Sequence, residues 1–540
     1  MAFAVNKSCT DCLLQCCGSC NVWRDEILCR QLNLTQAKRM HLRDALLASL
    51  AKSPGTREFH LHVLVSSPRK HSSLYPFACP RPKTYLQDVL VLLSEQSTPD
   101  APRLFVSAIE ASVYHIPSTS SAIVYVSKVD STGQATAPSP TPILVRALVS
   151  YYASPATRPL SVDHVWVHLF ARAQGQYLFP NSADFPGKRP LTDIKLCAWW
   201  KHQLSKVAEE LDAQAVRTRL YYLLPGLGEL EASCSLDRIY SSPSSASWVY
   251  GHPYSQTDLL LPGVSGRNTP YLGQIIPWFD DDPKARFMDE IAYTTEAEGV
   301  KSPERKRPRM DRAGLGPSDE GGEDNPDKKD THSPKEEQTT KALKKVSVNE
   351  FWERMSFRQE CIAGAVTGFF VMAISSTCSP SVPRSEPSPL APQPGLVSPH
   401  LIKRVLTSLM NGHEFPSVER AAWSTKVLEE SIKGLCDGLK PGPVTSVSVS
   451  GRRTPEPVED SAPPQTPPPR LVGGKYPVVD ASPNPFPEPI ASLETYHSYI
   501  YSALSVSNPQ LPRKTSTEGA DDGKTKVTVL TVRKKKRAKP

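Results

Sequence analysis

Residues 301–345 set the limits on how this chain can fold. The run KSPERKRPRMDRAGLGPSDEGGEDNPDKKDTHSPKEEQTTK has almost no large apolar side chains. It cannot bury enough surface to offset its ordering entropy and is expected to be a disordered insertion. Apolar sequence resumes directly after it, in SVNEFWERMSFRQECIAGAVTGFFVM. Ser347 and Glu350 have the spacing of a capping box. Val348, Phe351, Trp352, Met355, Ile362, Val366 and Phe370 keep helical spacing with one gap. Residues 362–374, IAGAVTGFFVMAI, make an apolar run of 13 residues, short of the roughly 20 a bilayer span requires, and are expected to form a buried helix. A helix this apolar needs a partner, and residues 38–300 supply it. The tract then interrupts one domain and does not link two.

Residues 38–300 carry both structural periods. FHLHVLV (59–65) alternates like a half-buried strand; LFVSAIEASVYHI and SAIVYVSKVD are β-rich and separated by the turn composition PSTS. PILVRALVSYYA reads as a helix. In LCAWWKHQLSKVAEEL (196–211), Leu196, Trp200, Leu204, Val207 and Leu211 share one helical face. Such mixing predicts an α/β or α+β domain. Residues 346–437 are expected to complete it: a proline-rich loop over 375–399, a helix over PHLIKRVLTSLMNG that stops at Gly412, and another over SVERAAWSTKVLEESIKGL. Residues 438–524, rich in Pro and Ser, are expected to be disordered, and 525–540 to join a short strand to a basic tail.

The net charge of +8 fits a nuclear or nucleic-acid-adjacent protein. Six of the twelve cysteines fall within residues 1–37. Cys9, Cys12, Cys17 and Cys20 make two C-x-x-C pairs, but four residues separate the inner two, against roughly 12–20 in a zinc ribbon. The stretch has no apolar h-region, so the glycosylation triplets at Asn6 and Asn33 carry little weight. It reads as a poorly ordered extension, and the scattered remaining cysteines suit a reducing compartment.

WFDDDPKARF (278–287) admits two readings. In the structural one, Asp282 caps a helix, Pro283 takes the first helical position, and Asp280 and Asp281 sit at the positive end of the dipole. Lys284 and Arg286 then stand where cations are disfavoured. Asp289 and Glu290 answer Arg286; Lys284 has no such partner on its own helix and is expected to lean back on the aspartates. In the second reading the cluster is a site.

YVSKVDSTG (125–133), QYLFPNSADFPGKRPL (176–191), CAWWK and WFDDDPKARF, in that order and with SVNEFWERMSFRQE and VLTVRKKKRAKP following, resemble the fungal histone H3 lysine acetyltransferase family known as the regulator of Ty transposition. The resemblance covers roughly residues 40–300, 345–437 and 525–540. It implies a fold like that of the CREB-binding-protein acetyltransferases: a mixed central sheet wrapped by helices, with acetyl-CoA as co-substrate and no metal. Such chemistry needs a lysine ε-amine to lose its proton, carboxylates to guide its charge, and aromatic walls for its stem. By resemblance, Asp282 is the principal catalytic carboxylate with Asp281 beside it, Asp130 is a second acid, and Tyr177 and Trp200 wall the lysine channel. Lys284 matches a buried lysine that becomes acetylated. Acetyl-CoA would be held by Val129, Asp130, Ser131, Phe170, Gln174, Lys188, Arg189, Pro190, Leu191 and Trp199. Charge alone does not separate phosphate partners from an exposed basic loop at Lys188 and Arg189, and Trp199 alone would read as core. Between Gly133 and Arg146, QATAPSPTPILV departs from the family's second CoA-contacting loop, leaving Arg146 a candidate.

The resemblance implies a nuclear enzyme acting on core-region and tail lysines of histone H3, presented as H3–H4 by a histone chaperone, in chromatin assembly and genome stability. PERKRPRM (303–310) and RKKKRAKP (533–540) have the composition of import signals. No membrane association or sequence-specific nucleic-acid recognition is expected. The competing class is a catalytically weak chromatin scaffold that binds histones or nucleic acid through basic tails. Asp130, Tyr177, Trp200 and Asp282 argue against it, because a scaffold has no need of that set.

Overall fold

The computed structural model describes residues 40–214, 216–240, 245–264, 270–293, 334–358, 361, 365–376, 388–437 and 485–510. The expected cysteine-rich extension, most of the 301–345 tract, both basic runs and the terminal strand with its tail lie outside these residues.

In chain order the elements are α1 (Leu42–Leu50), β1 (Gly55–Val65), β2 (Arg69–Lys70), β3 (Tyr85–Gln96), β4 (Leu104–Ile116), β5 (Ser121–Ser131), α2 (Thr141–Ala153), β6 (His164–Ala171), α3 (Asp193–Asp212), β7 (Arg217–Leu223), α4 (Glu229–Asp237) and β8 (Trp248–Tyr250). They continue with α5 (Leu272–Ile275), α6 (Pro283–Tyr293), α7 (Pro334–Lys345), α8 (Val348–Met355), β9 (Gly368–Ser375), α9 (Pro399–Gly412), α10 (Val418–Cys436) and β10 (Tyr501–Asn508). The strands form one mixed sheet in the order β10-β1-β3-β4-β5-β6-β9-β7-β8, with β2 added on β3. The β5–β6 and β7–β8 pairs are parallel, and the other ladders are antiparallel.

Strand alternation divides the core in two. One face of the central strands, with Val124, Val167 and Met372, packs under α1–α4 through Leu46, Leu148, Leu204 and Ala232. The opposite face is aromatic. Tyr125, Trp166 and Phe369 pack against Phe279, Phe287, Leu343 and Phe351 from α5–α8 and the turns between them. A third cluster sets α9 and α10 against Leu64, Leu90 and Phe105. Elements on both sides of the charged tract, α6 before it and α8 after it, thus share one cluster, together with α7 at its end.

Three expectations fail. Residues 368–374 of the expected buried helix belong instead to β9, which lies between β6 and β7 and pairs with both. A strand covered on both faces is apolar at every position, so its sequence shows no period that separates it from a buried helix. The helix capped by Ser347 ends at Met355. The end of the charged tract is ordered as α7, because Leu343 is a fully buried anchor and Lys344 Nζ lies 5.4 Å over the Tyr271 ring. Within the stretch expected to be disordered over 438–524, residues 485–510 are ordered. Tyr496 and Ile500 are buried, and β10 pairs antiparallel with β1 from Gly55↔Asn508 to His62↔Tyr501. No proline falls between residues 489 and 509, and an alternating strand lies in that gap, which the composition of the whole stretch hides.

Candidate active site

The site forms where two parallel strands separate. β5 and β6 pair from Ser121↔His164 to Val126↔Leu169. Past that point, residues 128–131 of β5 pair only with β4 among the described ladders, so the backbone edge toward β6 stays open. Open α/β sheets take ligands at such carboxyl ends. The crossover from β5 to β6 runs through α2, whose first residues Thr141 and Pro142 also line the opening.

A cavity of about 460 Å³ occupies this place. Val129, Asp130 and Ser131 line it from β5, and Phe170 from β6. Gln174 and Tyr177 come from the following loop, Lys188, Arg189, Pro190 and Leu191 from the next, and Trp199 and Trp200 from α3. Side chains scattered over seventy residues of sequence therefore converge. The indoles of Trp199 and Trp200 meet edge to face with centroids 4.8 Å apart. Trp200 is buried, and Trp199 is half-buried.

Asp130 is not placed as a free acid. Its Oδ2 accepts from the backbone N–H groups of Tyr177, Leu178 and Phe179 at 2.7, 2.8 and 3.1 Å. Its Oδ1 accepts from Ser131 N at 2.8 Å and Lys188 Nζ at 2.9 Å. Five donors meet about four lone-pair positions, so the carboxylate is saturated and acts by fixing the loop that carries Tyr177. The same pair corrects the expectation for Lys188. Its ammonium points inward, buried against Asp130 and Ser182 Oγ, and does not reach out toward a phosphate. Arg189 is exposed at the cavity. Gly133 explains how the loops come so close. Its φ is +80°, and a Cβ there would lie 2.5 Å from Lys188 Cα.

Tyr177 hydroxyl donates to the Arg172 carbonyl. Burial, with the Asp130 charge nearby, pushes its phenol up to about 12, so it is protonated at neutral pH and serves as a wall and a donor.

The aspartate cluster enters from the aromatic face. Asp282 caps α6 as expected: its Oδ1 accepts from Lys284 N at 2.9 Å. Its side chain is wholly buried and its Oδ2 pairs with Lys284 Nζ. Lys284 is also buried, with Nζ 4.6 Å over the Phe369 ring. Burial holds its pKa below the ordinary lysine value even with Asp282 beside it. Neither Asp282 nor Lys284 lines the 460 Å³ cavity. They stand one aromatic layer behind it, since Phe369 contacts Phe170 at 4.8 Å between centroids and Phe170 lines the cavity. Asp281 is nearer. Its carboxylate is exposed and lies 3.1 Å from Nζ of Lys128, a cavity residue that also binds Glu110 at 2.8 Å.

The sequence reading missed Lys128, Arg172 and the loop residues Ala135, Ala137 and Ser139, which also line the cavity. Lys128 lies inside the quoted motif and follows strand alternation from Val126, a signal that was available. Arg146 instead binds Gln203 Oε1 at 2.7 Å and is not a cavity residue. Among the described residues, no group of three or more His, Cys, Asp or Glu side chains could hold a metal ion.

Residues 152–431 match the histone acetyltransferase KAT11-type domain. The histone acetyltransferase rtt109 of Aspergillus flavus is 28% identical over 304 residues, covering 51% of this chain and 46% of the relative. The histone acetyltransferase rtt109 of Schizosaccharomyces pombe is 25% identical over 298 residues, covering 53% and 59%. The chain spans about half the length of these curated relatives. The crystal structure of Rtt109 from Aspergillus fumigatus has the same fold, with a TM-score of 0.53 at 24% identity, covering 72% of this chain and 96% of that one.

Proposed function

Because the chain belongs to the histone acetyltransferase KAT11-type domain family, we propose that it transfers acetyl groups from acetyl-CoA to lysines of histone H3. The observation that carries this reading is the cavity at the split between β5 and β6, lined by an open strand edge, an exposed arginine and paired tryptophans. Each feature suits one part of acetyl-CoA. An open backbone edge hydrogen-bonds an extended chain that carries amides, as the pantetheine arm does. Arg189 and the first turn of α2 favour phosphate oxygens. Tyr177 and Trp200 give an apolar, π-rich wall for a lysine stem.

In the reaction the substrate lysine must first release a proton. Its nitrogen then attacks the thioester carbonyl, the C–N bond forms, the C–S bond breaks, and the proton that the nitrogen loses ends on the CoA sulfur, which leaves as the thiol; the first proton passes to solvent. Asp281 and Glu110, flanking Lys128, set a negative potential that draws the substrate ammonium. Asp282 acts through Lys284, whose acetylation removes a buried charge. Histone chaperones deliver H3–H4, and the protein works in the nucleus, in chromatin assembly and genome stability.

The test is incorporation of radiolabelled acetyl from acetyl-CoA into H3–H4, with and without an added chaperone. Wild type is expected to label H3, and Trp200→Ala to lose most of the labelling. A folded wild-type protein that binds H3–H4 without labelling it would support the scaffold reading instead.

A further inference from the structure

A second cavity, of about 590 Å³, lies on the opposite flank of α3, between that helix, α4 and the β7–β8 pair. Its walls are aromatic. Trp248 and Tyr250, two apart on β8, each meet Tyr222 of β7 nearly at right angles, at 89° and 79°, with centroids 5.8 and 5.3 Å away. Trp248 Nε1 donates to Ser205 Oγ at 2.9 Å, which fixes the indole. Tyr240 and Leu230 stand exposed at the rim. The cavity already contains one cation in the geometry such rings favour: Lys201 Nζ lies 4.9 Å over the Tyr222 ring and 2.8 Å from Asp237.

The charges do not cancel. Lys201 neutralises Asp237, whose second oxygen accepts from Ser233 Oγ at 3.1 Å. Glu229 also lines the cavity, and no ion pair among the described residues engages it. His202, stacked on Tyr240 at 4.4 Å, is held below its usual value by burial and then by Lys206 and Arg146, which disfavours its charged form. One exposed carboxylate at the cavity thus has no ion-pair partner among the described residues, beside the Tyr222, Trp248 and Tyr250 rings. We propose that this cavity is a binding site for a single lysine or arginine side chain of a basic polypeptide, distinct from the acetyl-transfer cavity. The cation would sit between Glu229 and the Trp248–Tyr250 walls, and Leu230 and Tyr240 would cover the neighbouring residues of the bound chain. The apolar rim and the single free carboxylate favour one desolvated cation over a long basic stretch.

The experiment measures binding of a fluorescein-labelled Gly-Lys-Gly-Lys-Gly peptide to the full chain by anisotropy, without acetyl-CoA. It therefore does not depend on the proposed enzymatic activity. The control peptide has both lysines acetylated. The lysine peptide should bind and the neutral one should not. Glu229→Lys and Tyr240→Ala alter exposed positions and should each weaken binding by about 3- to 30-fold. Asp281→Lys, beside the other cavity, should leave it unchanged. Equal binding of the two peptides, or unchanged affinity in both rim variants, would overturn the assignment; so would a loss on Asp281→Lys alone, which would move the peptide to the acetyl-transfer cavity.

Discussion

The Asp130 carboxylate and the Lys188 ammonium lie 2.9 Å apart, with side chains only 4% and 6% exposed. That pair ties the end of β5 to two loops that are remote in sequence, and it makes the two neighbours Lys188 and Arg189 different in kind. Lys188→Met should leave a buried carboxylate without its cation and cost about 3–5 kcal/mol of stability, read as a lower midpoint in urea. Arg189→Ala should leave the midpoint alone and raise the KM for acetyl-CoA by about 3- to 10-fold. The reverse pattern would mean that Lys188 reaches the ligand.

Gly133→Ala tests how closely the two loops must approach. The new methyl would meet backbone at 2.5 Å, at a φ of +80°, so both loops would have to shift. Gly226 has a φ of +87°, and a Cβ added there would have nothing within 4 Å, which makes Gly226→Ala the control for strain alone, at about 1 kcal/mol. Gly133→Ala should be the more destabilising and should also weaken acetyl-CoA binding, measured by calorimetry. Equal effects of the two variants would remove the close approach from the account.

Much of the cavity was legible because it is built from contiguous motifs. Val129–Ser131 end a strand whose alternation is plain, and Trp199 and Trp200 lie on a helix with a clear apolar face. What the sequence hid was the direction of charged side chains. Lys188 and Arg189 are chemically similar neighbours, and only the three-dimensional position of Asp130 turns one inward. β9 was hidden for a different reason: burial on both faces removes the period that marks a strand. β10 was masked by the prolines before it. The loop over 133–142 reached the cavity without a recognisable pattern, since its contribution comes from where it runs and not from its residue types.

Tyr177 separates a wall from a base. With its phenol pushed up to about 12, mainly by burial, it holds its proton throughout the range in which the protein works. Tyr177→Phe should lower turnover by less than about 10-fold and leave the limbs of the pH–rate profile where they are. A general base would cost about 10²- to 10⁴-fold and take one limb with it, and that outcome would return Tyr177 to proton transfer.

The pairing of Asp282 with Lys284 makes the most direct test of how the acidic cluster works. Both side chains are buried, and Asp282 is the counter-ion. Asp282→Asn keeps the cap but leaves a buried ammonium uncompensated, at a cost of about 3–5 kcal/mol. Adding Lys284→Gln should recover most of that loss. The pH dependence has a definite sign. Lys284 is held below its ordinary value, first by burial. Between its folded and unfolded values the unfolded chain binds the extra proton, so this group's contribution to stability rises with pH across that window and is flat below it. Wild type should therefore gain on Lys284→Gln as pH rises through the alkaline range, in urea melts at matched pH. If purified protein carries acetyl-Lys284, seen by peptide mass spectrometry, the gain should vanish in that fraction. Lys284→Arg, which keeps the charge, should lower turnover more than Lys284→Gln. The double variant Asp282→Asn with Lys284→Gln then decides the role of Asp282. Restored turnover means that it acts by holding Lys284, whereas a folded, stable and inactive double variant would put its carboxylate at the reacting amine.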